Sequence, residues 1–214
     1  GVSPSVVSFN NSANDYTVSA AISGTAPLIK QGAAWATLSG VSDYNPASLS
    51  INNGTLTLGG SSQLNSGTYA GNILNNGLLD YASSAAQLCS GLLSGVGILR
   101  TSGPGTLTLS GSNLYSGVTL VNSGVLKIQH AYGLGATASG TTVALGGNLE
   151  LAGNISTLSE VLTLNGTLSS QMGTNTFNGN ITLNAGASID VGTGSMLILK
   201  AFQANGPFTK TGSG

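Results

Sequence analysis

The chain has 214 residues, only 5% of them charged, and 33 are glycine, whereas an average soluble domain is about 25% charged and about 7% glycine. A formal net charge of -1 excludes the basic stripe that holds phosphates, so neither nucleic acid nor an anionic membrane surface is an expected partner. The 40% hydrophobic fraction suffices for one large core, and the exterior must then be built from Ser, Thr, Asn and Gly.

In chain order, residues 16–22 (YTVSAAI) read as the first strand. Apolar residues then alternate with polar or small ones at 55–58 (TLTL), 106–109 (TLTL), 125–128, 148–151 (NLEL), 161–164, 180–183 (NITL) and 196–199, the period of a strand with one buried face. Leu56, Leu58, Leu107, Leu109, Leu126, Leu162, Leu164, Ile181, Leu183, Ile189, Val191, Leu197 and Leu199 are therefore expected to point inward. Between the strands, Asn53-Gly54, Gly59-Gly60, Asn76-Gly77, Ser123-Gly124, Gly146-Gly147 and Asn165-Gly166 mark turns, because Gly and Asn accept positive φ at little cost. Only residues 83–93 (SSAAQLCSGLL) have a helix-forming composition. They align with 16–22, so a strand is expected there and essentially no helix anywhere.

The chain repeats itself. Aligning Gly24 with Gly95, an offset of 71, places Val18 on Cys89, Ile22 on Leu93, Leu28 on Leu99, Gly32 on Gly103, Leu38 on Leu109 and Gly40 on Gly111. Tyr44 falls beside Tyr115 and, after a one-residue shift, the pair Asn53, Gly54 matches Ser123, Gly124. A third copy, at an offset of 109, places Phe202 on Leu93, Phe208 on Leu99 and Gly212 on Gly103. The copies span about 16–58, 87–128 and 196–214, with spacer coils at about 129–195, within a single segment 1–214. Short strands with Gly-rich turns fit a sandwich, a barrel or a solenoid. The repeats favour an all-β, right-handed, single-stranded parallel β-helix of about nine or ten coils, each of roughly 20 to 25 residues, giving a rod about 45 Å long.

The run GPGTLTLSGSNLYSGVTLVNSGVL, residues 103–126, resembles the autotransporter-associated β-strand repeat, also called the passenger-associated transport repeat. The stretches LGATASGTTVALGGNLELAG, TNTFNGNITLNAGASIDVGTGSMLIL and GPFTKTGSG are similar to its spacer coils. Residues 32–56 form a degraded copy, with Ala33-Ala34-Trp35-Ala36 where Gly and an alternating Leu belong. The resemblance implies a right-handed parallel β-helix in the exported portion of a large bacterial surface protein, and it implies no catalytic residues.

The candidates for chemistry are few. His130 is the sole histidine and reads as an exposed turn residue, and no GxSxG elbow accompanies it to build a triad. The acids Asp15, Asp43, Asp80, Glu150, Glu160 and Asp190 are scattered, although a solenoid brings distant positions together and a glycosidase needs only two of them. Five bases, Lys30, Arg100, Lys127, Lys200 and Lys210, are too few for a charged cleft. No GGxGxDxUx repeat or EF-hand loop is present to hold calcium, and Asp190 reads as a turn or strand-face residue. Trp35, Tyr44, Tyr69, Tyr81, Tyr115 and Tyr132 either form a sugar-stacking surface or stack from coil to coil, Tyr44 and Tyr115 sharing one structural role. Cys89, the only cysteine, excludes an internal disulfide and, aligned with Val18, reads as a buried apolar residue. Asn10, Asn53, Asn154, Asn165 and Asn180 begin Asn-x-Ser/Thr triplets, which chance supplies in so Asn- and Ser-rich a chain.

The expectation is a non-enzymatic, extracellular, structural or adhesive rod at a bacterial surface, without cofactor, metal or catalytic residues. A polysaccharide lyase or hydrolase, or a glycan-binding module, is the alternative on the same fold. Its expected partners are neighbouring coils or copies stacked end to end, with surface glycans as a further class. The third copy breaks off where the earlier one continues into 106–109, so the rod is expected to continue, covalently or by stacking into a filament. No apolar run reaches the roughly 18 residues of a spanning helix, so this segment is not expected to insert into a membrane. A low-charge exterior predicts stability that depends little on salt and pH.

Overall fold

The computed structural model describes residues 4–40, 43–137 and 139–214, and its strands pair in parallel throughout. They form three sheets. Sheet A holds β1 (Val7–Asn10), β3 (Leu28–Gln31), β5 (Leu49–Ile51), β8 (Ile73–Asn75) and β11 (Leu93–Ser94). Sheet B runs the length of the molecule through β2 (Tyr16–Val18), β4 (Trp35–Leu38), β6 (Thr55–Leu58), β9 (Leu78–Tyr81), β12 (Ile98–Thr101), β14 (Thr119–Val121), β16 (Thr141–Val143), β18 (Leu162–Leu164), β20 (Thr174–Leu183) and β22 (Met196–Ala204). Sheet C contains β7 (Thr68–Tyr69), β10 (Ala86–Cys89), β13 (Thr106–Leu109), β15 (Gly124–Ile128), β17 (Gly147–Ala152), β19 (Thr167–Met172), β21 (Ser188–Val191) and β23 (Thr209–Thr211). The chain visits the faces in turn, so each coil lies on the one before it. The result is a β-solenoid of about ten turns.

The register gives the coil length directly, from 19 residues where Thr106 pairs with Val125 to 24 where Leu49 pairs with Ile73. Alternation then sets the core. In β13 Leu107 and Leu109 are buried and Thr108 between them is not, and burial alternates likewise in β14, β16 and β18, where Thr119 and Thr141 take inward positions. The inward ranks thus become columns made mostly of Leu, Ile and Val, with Thr119 and Thr141 among them, at the interstrand spacing of about 4.8 Å, and the non-polar area this removes from water is the main stabilising term.

The expected strands are all present, and residues 83–93, despite their composition, supply β10 and β11. Among the described residues the lone helical turn is Asn65–Gly67. The expected inward residues are buried with two exceptions. Leu197 and Leu199, in β22, are only half-buried, because no further coil covers that strand. Gly54 and Gly124 do adopt positive φ (68° and 64°), whereas Gly77 does not. Gly77 serves a different need, since a Cβ there would overlap the Gly54 carbonyl of the coil beneath.

Sheet A lapses after β11, and backbone groups on that face need other partners. Buried amides supply them. Asn113 accepts from the Leu93 N–H (2.9 Å) and donates to the Gly133 carbonyl (2.9 Å), and Asn175 accepts from the Ile155 N–H (3.0 Å) while donating to the carbonyls of Leu151 and Met172 (3.1 and 2.8 Å). On another coil Gln87 does the same for Leu64, accepting from its N–H at 2.7 Å and donating to its carbonyl at 3.2 Å.

Candidate functional site

Four of the six aromatic candidates are core residues. Tyr44, Tyr69, Tyr81 and Tyr115 are buried, and each hydroxyl is tied inside the solenoid: Tyr44 donates to the Ala26 carbonyl, Tyr69 to that of Pro46 at 3.0 Å, Tyr81 to that of Ala85 at 2.7 Å, and Tyr115 pairs with the Thr119 hydroxyl at 2.7 Å. Burial pushes the Tyr44 and Tyr69 phenols up to about 12, so they stay protonated and serve as hydrogen-bonding posts. Tyr44 and Tyr115 are alike in burial, but Tyr44 bonds a backbone carbonyl and Tyr115 a side-chain hydroxyl. None of the four can offer a ring face to a sugar.

Trp35 remains outside, 44% exposed on the outer face of sheet B, and Tyr132 is likewise exposed. The Arg100 guanidinium lies 5.6 Å from the Trp35 ring centroid. Strands β6 and β9 separate β4 from β12, so the two side chains meet above them. That bridge accounts for Thr55 and Thr57, which occupy outward positions of β6 and yet are buried. Asp80 completes the cluster: Arg100 donates to it through Nε (3.0 Å) and Nη2 (2.8 Å), and Ser102 Oγ through a 2.8 Å bond. The two charges lie on adjacent coils, Arg100 paired with Asp80 in the ladder, and the fork-to-carboxylate geometry holds the guanidinium planar beneath the indole.

The other acids are held singly. Lys127 pairs with Glu150 at 2.8 Å across β15 and β17, and Asp190, a strand-face residue of β21, accepts from Gln171 and Thr211 at 2.5 and 2.6 Å. Asp15 accepts from the Trp35 N–H at 2.8 Å, and Asp43 is exposed. Glu160 differs from the rest. It is 2% exposed, with Oε1 accepting from Thr141 at 3.0 Å and Oε2 without a partner, and burial pushes its carboxyl up to about 7. Its proton is therefore exchangeable near neutrality.

His130 lies in a turn as expected, though it is half-buried and not exposed: its Nδ1 accepts from the Tyr132 N–H at 3.1 Å and its ring sits 5.8 Å from that of Tyr132. Cys89 is a free, buried thiol pushed up to about 12 by desolvation, beside a cavity of about 20 Å³ lined by Leu58, Leu79, Tyr81 and Leu107. Among the described residues no three of His, Cys, Asp and Glu come together as a metal site. Of the Asn-x-Ser/Thr asparagines, Asn10, Asn53, Asn154 and Asn180 are exposed, whereas Asn165 donates to the Val143 carbonyl (3.4 Å) and accepts from Asn184 (2.9 Å).

Lys30 is the residue that sequence reasoning missed. It is fully buried, and its ammonium donates inward to the carbonyls of Gln31 and Gly32, both at 2.7 Å, and of Asn53 at 3.4 Å. Desolvation lowers its pKa, partly offset by Asp15. The signal was its position, two residues after the inward Leu28.

The molecule is thus a three-faced parallel β-solenoid whose polar interior groups serve mainly its own corners. Residues 28–58 and 99–128 match the family model described as passenger-associated-transport-repeat, so these two segments are similar to that repeat. No match was found among curated proteins or among solved structures.

Proposed function

We propose that the chain is a non-enzymatic structural or adhesive rod in the exported part of a bacterial surface protein. The observation that carries this is the uninterrupted ten-strand parallel ladder of sheet B, in a solenoid whose segments 28–58 and 99–128 match the passenger-associated-transport-repeat model. Its mechanism is mechanical, since stacked coils resist bending in proportion to the backbone hydrogen bonds and core contacts between them. Of the polar residues singled out as catalytic candidates, Asp15, Asp80, Glu150, Asp190 and His130 are engaged in contacts within the solenoid. Reducing-sugar and lyase assays over a polysaccharide panel test this reading, with no turnover expected and turnover overturning it.

A glycan-binding role is the second reading, favoured by the exposed Trp35 indole backed by Arg100. A glycan array distinguishes the two: binding lost in Trp35→Ala supports adhesion through this face. End-on growth is also proposed. Half-buried Leu197 and Leu199 line a cavity of about 270 Å³, and Phe202 and Phe208 are exposed as a ring pair 6.3 Å apart, together an apolar surface suited to another coil of the same kind. Sedimentation of the isolated chain over a range of concentrations reads this out, and a monomer at every concentration rejects stacking between copies.

A further inference from the structure

The repeat does not need the ring of Trp35. Its counterpart in the second copy is Thr106 of β13, and that coil stacks on both neighbours without one. What the indole adds lies on the outside of the rod. The Arg100 guanidinium backs one of its faces, 5.6 Å from the ring centroid, and with the residue 44% exposed the opposite face is open to solvent. The backing is held in place: Asp80 on the adjacent coil accepts from Arg100 Nε and Nη2 at 3.0 and 2.8 Å, and Thr55 and Thr57 are buried beneath the bridge.

Arg100 gives Asp80 its Nε and Nη2 donors, and among the described residues its Nη1 makes no hydrogen bond, so N–H groups remain beside an open aromatic face. Charge then selects among ligands. The Asp80 carboxylate cancels the guanidinium, and Asp15, which accepts from the Trp35 N–H at 2.8 Å, adds a second carboxylate, so an anion finds no net attraction here. A cation on the open face would be opposed by Arg100 behind the ring. The arrangement suits an uncharged molecule with an apolar face and a polar rim. A pyranose is built that way: its C–H groups lie on the indole while its hydroxyls accept from the remaining N–H groups.

Resting on the glycan-binding reading above, we propose that Trp35 and Arg100 form a site for a neutral pyranose, and that Asp80 sets this ligand class by masking the Arg100 charge. A glycan array carrying neutral and acidic sugars, followed by titration of its hits against the emission of Trp35, the sole tryptophan, tests the assignment. Neutral glycans should dominate the hits and shift that emission, with affinity falling at least about tenfold in Trp35→Ala. Between about 0.05 and about 0.5 M salt the affinity should change less than about twofold. Asp80→Asn should add acidic glycans to the hits, because it unmasks the guanidinium. Should that variant not fold, the wild-type hits and their salt series decide the class. Acidic hits that need Trp35 and fade with salt would overturn the class and leave the glycan-binding reading standing. Hits indifferent to Trp35→Ala would overturn the site, and an array without hits would reject the glycan-binding reading and the site together.

Discussion

Leu28 and Leu99 open equivalent copies of the repeat and both are wholly buried, yet Leu28 faces the core from sheet A and Leu99 from sheet B. The same rotation carries Leu38 on sheet B to Leu109 on sheet C, and Phe208 precedes β23 on sheet C. An offset of 71 residues is three coils and one further face at the coil lengths seen here. The repeated unit is therefore a corner with its two flanking strands, and it does not register with whole coils. A side chain repeated in sequence lands on a different side of the rod each time, which distributes repeat-specific features around the axis.

Core truncation should follow coil position. Leu109→Ala, in a residue 3% exposed, should cost about 2 to 5 kcal/mol by chemical denaturation. Leu199→Ala, in the half-buried final coil, should cost less than half of that. A loss under about 0.5 kcal/mol at Leu109 would contradict the inward column.

Cys89 should resist a thiol reagent in the native protein and react once denaturant is added. Burial and a thiol pushed up to about 12 leave almost no thiolate at neutral pH. Rapid native modification is the contrary result.

Gly179→Ala tests the tightest approach between coils. A Cβ there would fall on the Glu160 carbonyl, so the backbone must shift and a destabilisation of about 3 kcal/mol is expected. Gly194→Ala, where φ is +72° and nothing lies within 4 Å, should cost only about 1 kcal/mol from strain. Similar costs at both would assign the effect to backbone conformation.

Glu160 should make stability fall as pH rises. Its folded-state pKa, about 7, exceeds the ordinary value of 4.5, so its contribution is complete below pH 4.5, declines between 4.5 and 7, and is flat above. The full change is about 3 kcal/mol. Glu160→Gln should flatten that window in urea titrations at several pH values. This residue is the exception to the pH-insensitive stability expected of so uncharged a chain.

The solenoid was legible because alternation and self-similarity are local properties: 106–109, 148–151 and 180–183 declare their buried faces without knowledge of their neighbours. What lies one coil away is not local. Asp80 meets Arg100 across 20 residues and Lys127 meets Glu150 across 23, and since coils vary in length no single offset finds both. The tyrosines were ambiguous for the same reason: Tyr69 and Tyr81 differ from outward aromatics only by register, and Tyr44 and Tyr115 lie between strands, where no alternation marks them. Glu160 precedes β18 outside any strand, so no alternation marked it as buried.

Residue-resolved hydrogen exchange measures the central claim most directly, that stacked coils alone hold the rod together. Amides donated between coils in β9, β12, β13, β15 and β17 should be the slowest, and those of β1, β2, β22 and β23, with a neighbour on one side only, should exchange at least about a hundredfold faster. Exchange at β13 as fast as at β23 would contradict a continuous, cooperatively stacked solenoid.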